Sequence, residues 1–153
     1  MTRMHDVALL DFPVAQFAQM QQHHDAMLRE FSLIALGSDG ESTTTPRRLV
    51  SLAKEMFERH GDAAAPFRQG VAEAVARGDA VTSLHLSIPY ETLRWTEDFL
   101  MLFEEADEFC RDGQLLTPPS PPEVVEFRRW LAGELIRQIR DGAPATPYWT
   151  ETL

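Results

Sequence analysis

Hydrophobic periodicity makes this chain mainly α-helical: one bundle-like domain of five helices, with one short two-stranded β-ribbon expected beside them. Three observations lead there. Five stretches repeat their apolar residues at helical spacing. Two segments break the pattern, a polar loop over residues 37–45 and a stiff Thr-Pro-Pro-Ser-Pro-Pro turn over residues 117–122. The size, 153 residues with 44% hydrophobic and 25% charged, fits one globular domain spanning residues 1–153. A chain of this length buries roughly 70% of its unfolded surface, so it needs no disulfide or metal to fold.

The first helix is expected over residues 14–36, where Phe17, Met20, His24, Leu28, Phe31 and Ala35 share a stripe and Gly37 follows as a C-cap. The second, over 46–60, has Thr45 as cap, Pro46 at its first position and Gly61 as its stop, with Leu49, Ala53, Met56 and Phe57 on its apolar side. The third, over 64–77, follows Asp62 as cap and ends at Gly78; its face of Phe67, Val71, Ala74 and Val75 is small. In residues 81–88, Leu84, Leu86 and Ile88 alternate with Ser83, His85 and Ser87, the period of a strand. A lone strand leaves its backbone groups unpaired. Residues 7–12 are the one other strand-like run, so the two are expected to pair; the competing reading is an extended loop over the helices.

Helix four, over 91–111, carries an apolar arc of about 200°, from Leu93 and Trp95 through Phe99, Phe103 and Ala106 to Cys110, where a surface helix needs about 100°. It is therefore central, or it also meets a second chain. Helix five, over 121–140, opens with a capping box of Ser120 and Glu123 and closes at Gly142. Its arc runs through Val124, Phe127, Leu131, Leu135 and Ile139. The tail, 143–153, carries Tyr148 and Trp149, aromatics that call for a docking site.

Charge and composition exclude several function classes. The net charge of −10 disfavours nucleic acid and anionic membrane surfaces, and suits a basic protein partner. No run approaches the roughly 20 apolar residues of a membrane span, and residues 1–13 lack a signal-peptide core, so a cytoplasmic location is expected. The single cysteine, Cys110, cannot form an internal disulfide; acidic neighbours and the C-terminal end of a helix disfavour its thiolate, so it reads as a core residue.

Candidate sites are few. His24, His60 and His85 stand on separate elements and are the weak metal candidates; no Glu-x-x-His or His-Glu-x-x-His motif supports them. No catalytic residue and no cofactor is assigned. Asp107 and Arg128 each fall inside an apolar arc. Either they pair as a buried ion pair, or both side chains reach water along the surface. Trp130 projects from the polar face of helix five and covers either the tail or a partner protein. Together with the wide arc of helix four, it points to a homodimer, against a monomer in which helix four is the hub. Residues 91–112 hold eight acidic residues against Arg94 and Arg111, a net of −6, and Met101 sits amid these carboxylates. Met101, Glu104 and Glu108, with Trp130, are the interaction candidates; a plain solvated face is the competing reading.

Thirteen of the 14 basic residues are arginine and asparagine is absent, the bias of a GC-rich bacterial genome. Against that background, several segments resemble a family of small actinobacterial proteins: Leu9-Leu-Asp-Phe-Pro13, Leu28-Arg-Glu-Phe-Ser-Leu-Ile34, Glu105-Ala-Asp-Glu-Phe-Cys-Arg111, Leu115-Leu-Thr-Pro-Pro119, Pro122-Glu-Val-Val-Glu-Phe-Arg-Arg-Trp130 and Pro144-Ala-Thr-Pro-Tyr-Trp149. These are packing motifs and none is catalytic. The family's association with genes for anti-sigma-factor kinases and their antagonists implies a place in a partner-switching stress network. The expectation is thus a non-enzymatic regulatory or protein-interaction module. The alternative is a small-molecule- or metal-binding helical bundle, with hydrolase chemistry among its options. The second needs a concave pocket with convergent polar groups, the first an exposed apolar patch.

Overall fold

In the computed structural model, residues 3–37, 44–60 and 63–148 are described. The elements run β1 (Met4–Pro13), α1 (Val14–Gly37), α2 (Thr44–His60), α3 (Ala65–Arg77), β2 (Val81–Pro89), α4 (Thr92–Arg111) and α5 (Pro122–Asp141). The fold is mainly α with five helices and one antiparallel ribbon. Every expected helix is present, with ends within about two residues of the periodicity. The 37–45 loop lies outside the described residues except for its ends, which are helical; so do Gly61, Asp62, Trp149 and the side chains of Thr45, Pro46 and Phe57.

The ribbon pairs Leu9 with Leu84 and Val7 with Leu86, and slips between Leu9 and Phe12. That slip is a bulge, and Asp11 takes φ 53° to make it. Strand side chains alternate faces, so without the extra residue Phe12 would point away from the side that holds Val7 and Leu9. With it, Val7, Leu9 and Phe12 are all buried. The outer edge of β1 is covered. The Ala8 N–H donates to Gln138 Oε1 (3.0 Å) and its carbonyl accepts from Gln138 Nε2 (2.8 Å). The Tyr148 N–H bonds the Leu10 carbonyl (3.0 Å). Backbone groups that would otherwise template another strand are thereby occupied. On the other side, Gly70 lets α3 approach β2: a Cβ there would stand 2.8 Å from Leu84 Cδ2.

Two apolar clusters form the core. One lies under the ribbon and joins β1, β2 and α3 to the first half of α1, the start of α4 and α5. The other joins the second half of α1, α2 and the rest of α4. Phe99 packs against both. Helix α4 lies between α2 and α5, which cover part of its wide arc. Three stripe positions differ from the periodicity. Ala35 and Val75 are exposed; at the end of α3 it is Ala74, one position earlier on the helix, that faces the core. Met27, off the expected stripe, is fully buried under α2 and α4.

The centre of the α4–α5 contact is ionic. Arg128 Nη1 and Nη2 both donate to Asp107 Oδ2, at 3.2 and 3.1 Å. The side chains are 0% and 4% exposed, so the surface-reaching alternative does not hold. Ser120 completes the cluster: its N–H (2.9 Å) and Oγ (2.7 Å) donate to Asp107 Oδ1, and its Oγ accepts from Arg128 Nη2 (2.7 Å). This overturns the capping box. The N-cap of α5 is Pro121 and no side chain caps it, because Ser120 serves the two buried charges, where its hydrogen bonds are charge-assisted. Ala64 stands at the N-cap of α3 with no side-chain cap bond, and Asp62, the cap expected there, lies outside the described residues.

Arg128→Ala leaves Asp107 charged and buried without its partner. Its unfolding free energy is expected to fall by about 3–5 kcal/mol in a urea titration. A loss below about 1 kcal/mol would show the pair to be solvated.

Candidate functional site

The histidines expected as metal candidates do not converge. His24 is on α1, His60 ends α2, and His85 faces outward on β2 beside Gln138. Among the described residues no group of three or more His, Cys, Asp or Glu side chains is placed to hold a metal ion. His60 is taken instead by Asp98, with Nε2 and Oδ2 2.9 Å apart, and Asp98 also meets Arg59 and Arg94 (3.6 and 3.7 Å). His60 and Arg59 also rim a cavity of about 340 Å3 between the ends of α2 and β2, with Trp95 in its wall.

His24 has a different setting. Its ring lies flat on Phe103, with centroids 3.6 Å apart and planes 8° apart, and meets Phe99 edge-on at 5.3 Å. The Arg128 guanidinium carbon is 5.8 Å from the centre of the same Phe103 ring, within cation–π range. His24 is buried, and its Nε2 has no hydrogen-bond partner among the described residues. Burial, then the Arg128 and His23 charges, hold its imidazole well below the usual value of 6.5, so it is neutral at pH 7. It lines a cleft of about 140 Å3 among α1, α2, α3 and α4, walled by Met20, Leu28, Met56, Trp95, Phe99 and Phe103 and edged by Gln21, Asp25 and Arg68. Among the described residues, the Nε2 atoms of His5 and His23 are likewise buried without a partner.

Cys110 is buried, and its thiol is pushed up to about 11 by burial first and then by Asp107 and Glu30. Such a thiol carries almost no thiolate at neutral pH, as its place on the helix leads one to expect.

The interaction candidates divide. Trp130 is half-buried within the chain: its ring meets Tyr148 edge-on at 5.0 Å, Phe127 at 5.9 Å and Phe12 at 6.3 Å. The tail is its occupant, so the ring is not a free anchor. This ring does not call for a second chain. Met101, 49% exposed, does present itself outward. With Leu100 and Ile136 it floors an open groove of about 390 Å3 edged by Glu97, Glu104, Glu105 and Glu108. Glu97 pairs with Arg140 (2.7 Å), Glu104 with Arg129 (2.9 Å) and Glu105 with Arg48, all through solvent-exposed arginines.

Two carboxylate anchors, one buried and one half-buried, lie outside the expectations. Glu134, 0% exposed, accepts from Gln138 Nε2 (2.9 Å), Arg137 Nη2 (2.8 Å), the Thr146 N–H (3.2 Å) and Thr146 Oγ1. It thereby ties the tail and, through Gln138, β1 to α5. The signal was present: Phe127, Leu131, Glu134 and Gln138 follow i, i+4, i+7, i+11, a core stripe. Glu30 holds the turn after α4, accepting from the Leu116 N–H (2.6 Å), the Thr117 N–H (2.7 Å) and Thr117 Oγ1 (2.6 Å).

Comparison of the chain with family models, with curated proteins and with solved structures returned no match.

The lowered His24 pKa has a signed consequence. Its share of stability is fully present above pH 6.5 and is lost as pH falls below it, because only the unfolded chain then takes up the proton. Between pH 7 and 5.5 the protein should lose about 1 kcal/mol more than a His24→Phe variant in parallel urea titrations. Equal losses in the two proteins would place a solvated, ordinary imidazole at this position.

Proposed function

We propose that the chain is a non-enzymatic regulatory module that docks a basic protein partner on the groove between α4 and α5. The observation that carries this is Met101, an exposed apolar side chain at the floor of a groove whose walls are glutamates. The floor offers van der Waals contact with an adaptable thioether, and the walls offer acceptors for lysine or arginine. The in-chain arginines do not block this. Exposed pairs of this kind are worth about 0–1 kcal/mol, so a partner's cations displace them at little cost. Residues 91–112, with their net charge of −6, steer such a partner toward the groove.

The chemistry of the chain supports a binding role over a nucleophilic one, since the one thiol is held protonated in the core. Among the described residues no helix is long and apolar enough to cross a membrane. Action in the cytoplasm and membership of an anti-sigma partner-switching network, as the family resemblance implies, belong to this proposal. A docking module without catalysis is the kind of part such a network uses.

An amphipathic helical peptide with a leucine stripe flanked by lysines is a direct probe, titrated into 15N-labelled protein. Amide shifts are expected along residues 97–108 and at Ile136, with affinity falling at least about tenfold between 0.1 and 1 M salt as the screening length drops from ~10 to ~3 Å. Reversing Glu104 and Glu108 to lysine should weaken binding at low salt, and Met101→Gln should weaken it at every salt concentration. Shifts scattered over the surface, or binding indifferent to Met101→Gln, would leave the groove a solvated acidic face.

A further inference from the structure

The ribbon has one covered edge and one open edge. In an antiparallel pair, residues alternate between bonding across the ladder and turning both main-chain groups outward. The Ala8 groups turn outward to Gln138, and Ala8 stands opposite His85, so the His85 N–H and C=O turn outward on the far side of β2. By the same alternation so do those of Val81, Ser83 and Ser87. Gln138 and Tyr148 occupy the edge of β1, but among the described residues no hydrogen bond reaches the outward groups of β2. Helix α3 meets β2 from the core face, where Gly70 touches the Leu84 side chain, while Val81, Ser83, His85 and Ser87, on the other face, are exposed. Folded proteins guard an open edge with charge, proline, a bulge or a covering segment. None of the first three stands on β2 before Pro89: residues 80–90 hold no charged side chain, and the bulge is made by Asp11 on β1.

We propose that this edge is a self-association site, on which a second copy of the chain lays its own β2 antiparallel to make one four-stranded sheet. Three features select a copy over another strand. The first is charge. Two chains of net charge −10 repel, and residues 80–90 give them an uncharged strip on which to meet. The second is pattern. With the two-fold at Leu84, Ser83 lies opposite His85 of the second copy and Val81 opposite its Ser87, so every outward N–H and C=O of the four residues is bonded. The third is cover. Val81, 53% exposed, is set beside Ser87 and Pro89 of the second copy. The ladder to β1 is untouched, since it runs through Leu84 and Leu86. A contact this narrow makes a reversible dimer, of the class of transient interfaces. It lies apart from the glutamate groove and does not depend on a partner docking there.

The test is sedimentation equilibrium of the full chain from about 5 to 500 μM, a range that spans transient association. The mass should rise from 17.3 kDa toward twice that value. Ser83→Pro removes an outward N–H without touching the ladder to β1, and should weaken dimerisation at least about tenfold, since each copy loses one interchain bond. The His85 side chains of the two copies are diagonal neighbours across the axis, within reach of long side chains. His85→Lys and His85→Asp should therefore associate with each other at least about threefold more tightly than either does with itself, at low salt. The thermal transition of each variant at the lowest concentration reports its folding; if Ser83→Pro does not fold, the charge pair decides alone. A mass of 17.3 kDa throughout the range would leave the edge to another strand or to water, and would overturn the proposal. So would a dimer unmoved by a folded Ser83→Pro variant, or a Lys–Asp mixture no tighter than its parts.

Discussion

The buried ion pair of Asp107 and Arg128 is the constraint on which the arrangement of this protein turns. Apolar stripes bring α4 and α5 together but are tolerant of small rotations, because one leucine contact replaces another. Two opposite charges in a dry contact are not tolerant. Any rotation of α4 or α5 that parts them leaves a carboxylate and a guanidinium unpaired in low dielectric, at a cost of several kcal/mol. The pair therefore selects one angular setting of the two helices from the many that hydrophobicity alone would permit. It then sets its surroundings. It draws Ser120 away from the cap of α5, places the guanidinium near the ring of Phe103, and adds to the low pKa of His24, which lies on that ring.

The same logic recurs at lower stakes where the chain is irregular. The turn between α4 and α5 has few apolar side chains to hold it, and Leu116 is almost wholly exposed. Glu30 fixes that turn through backbone N–H groups. The tail and the outer edge of β1 are held by Glu134 and Gln138. Helices are positioned by apolar faces, then, and the segments between and beyond them by buried or half-buried carboxylates and one amide. Such anchors give direction that dispersion contacts lack. They also make the aromatic tail part of the fold: Tyr148 closes over Trp130 and Phe127, and its N–H extends the hydrogen bonding of β1.

Much of this was legible in the sequence, for a physical reason. Helix and strand periods are local, so the apolar spacing in residues 14–36 or 81–88 carries its own structure. The pairing of Asp107 with Arg128 was legible only as one of two alternatives, since a long arginine stem could also have carried its charge to water. What the local pattern could not carry was competition between distant groups. Ser120 and Glu123 form a proper capping signature, yet the ions recruited Ser120 instead, and Gln19 bonds Glu123. Glu134 reads as surface by type, and becomes core when Thr146 and Gln138 meet it. The outward tryptophan of α5 was visible, but that the tail covers it depends on a chain path no periodicity encodes. The candidate site is the least legible part. His24 was visible as a stripe residue, but a cleft assembled from four helices arises only once α1, α2, α3 and α4 are packed.

The central claim is that Asp107 and Arg128 act as one unit. A double-mutant cycle with Asp107→Asn, Arg128→Met and both together measures this most directly, by the unfolding free energies of the four proteins in urea. The account predicts strong non-additivity: each single variant loses several kcal/mol, and the double variant is about 2–3 kcal/mol more stable than the sum of the two losses would make it. Losses that add to within about 0.5 kcal/mol would mean that the two charges do not depend on each other, and would contradict the account.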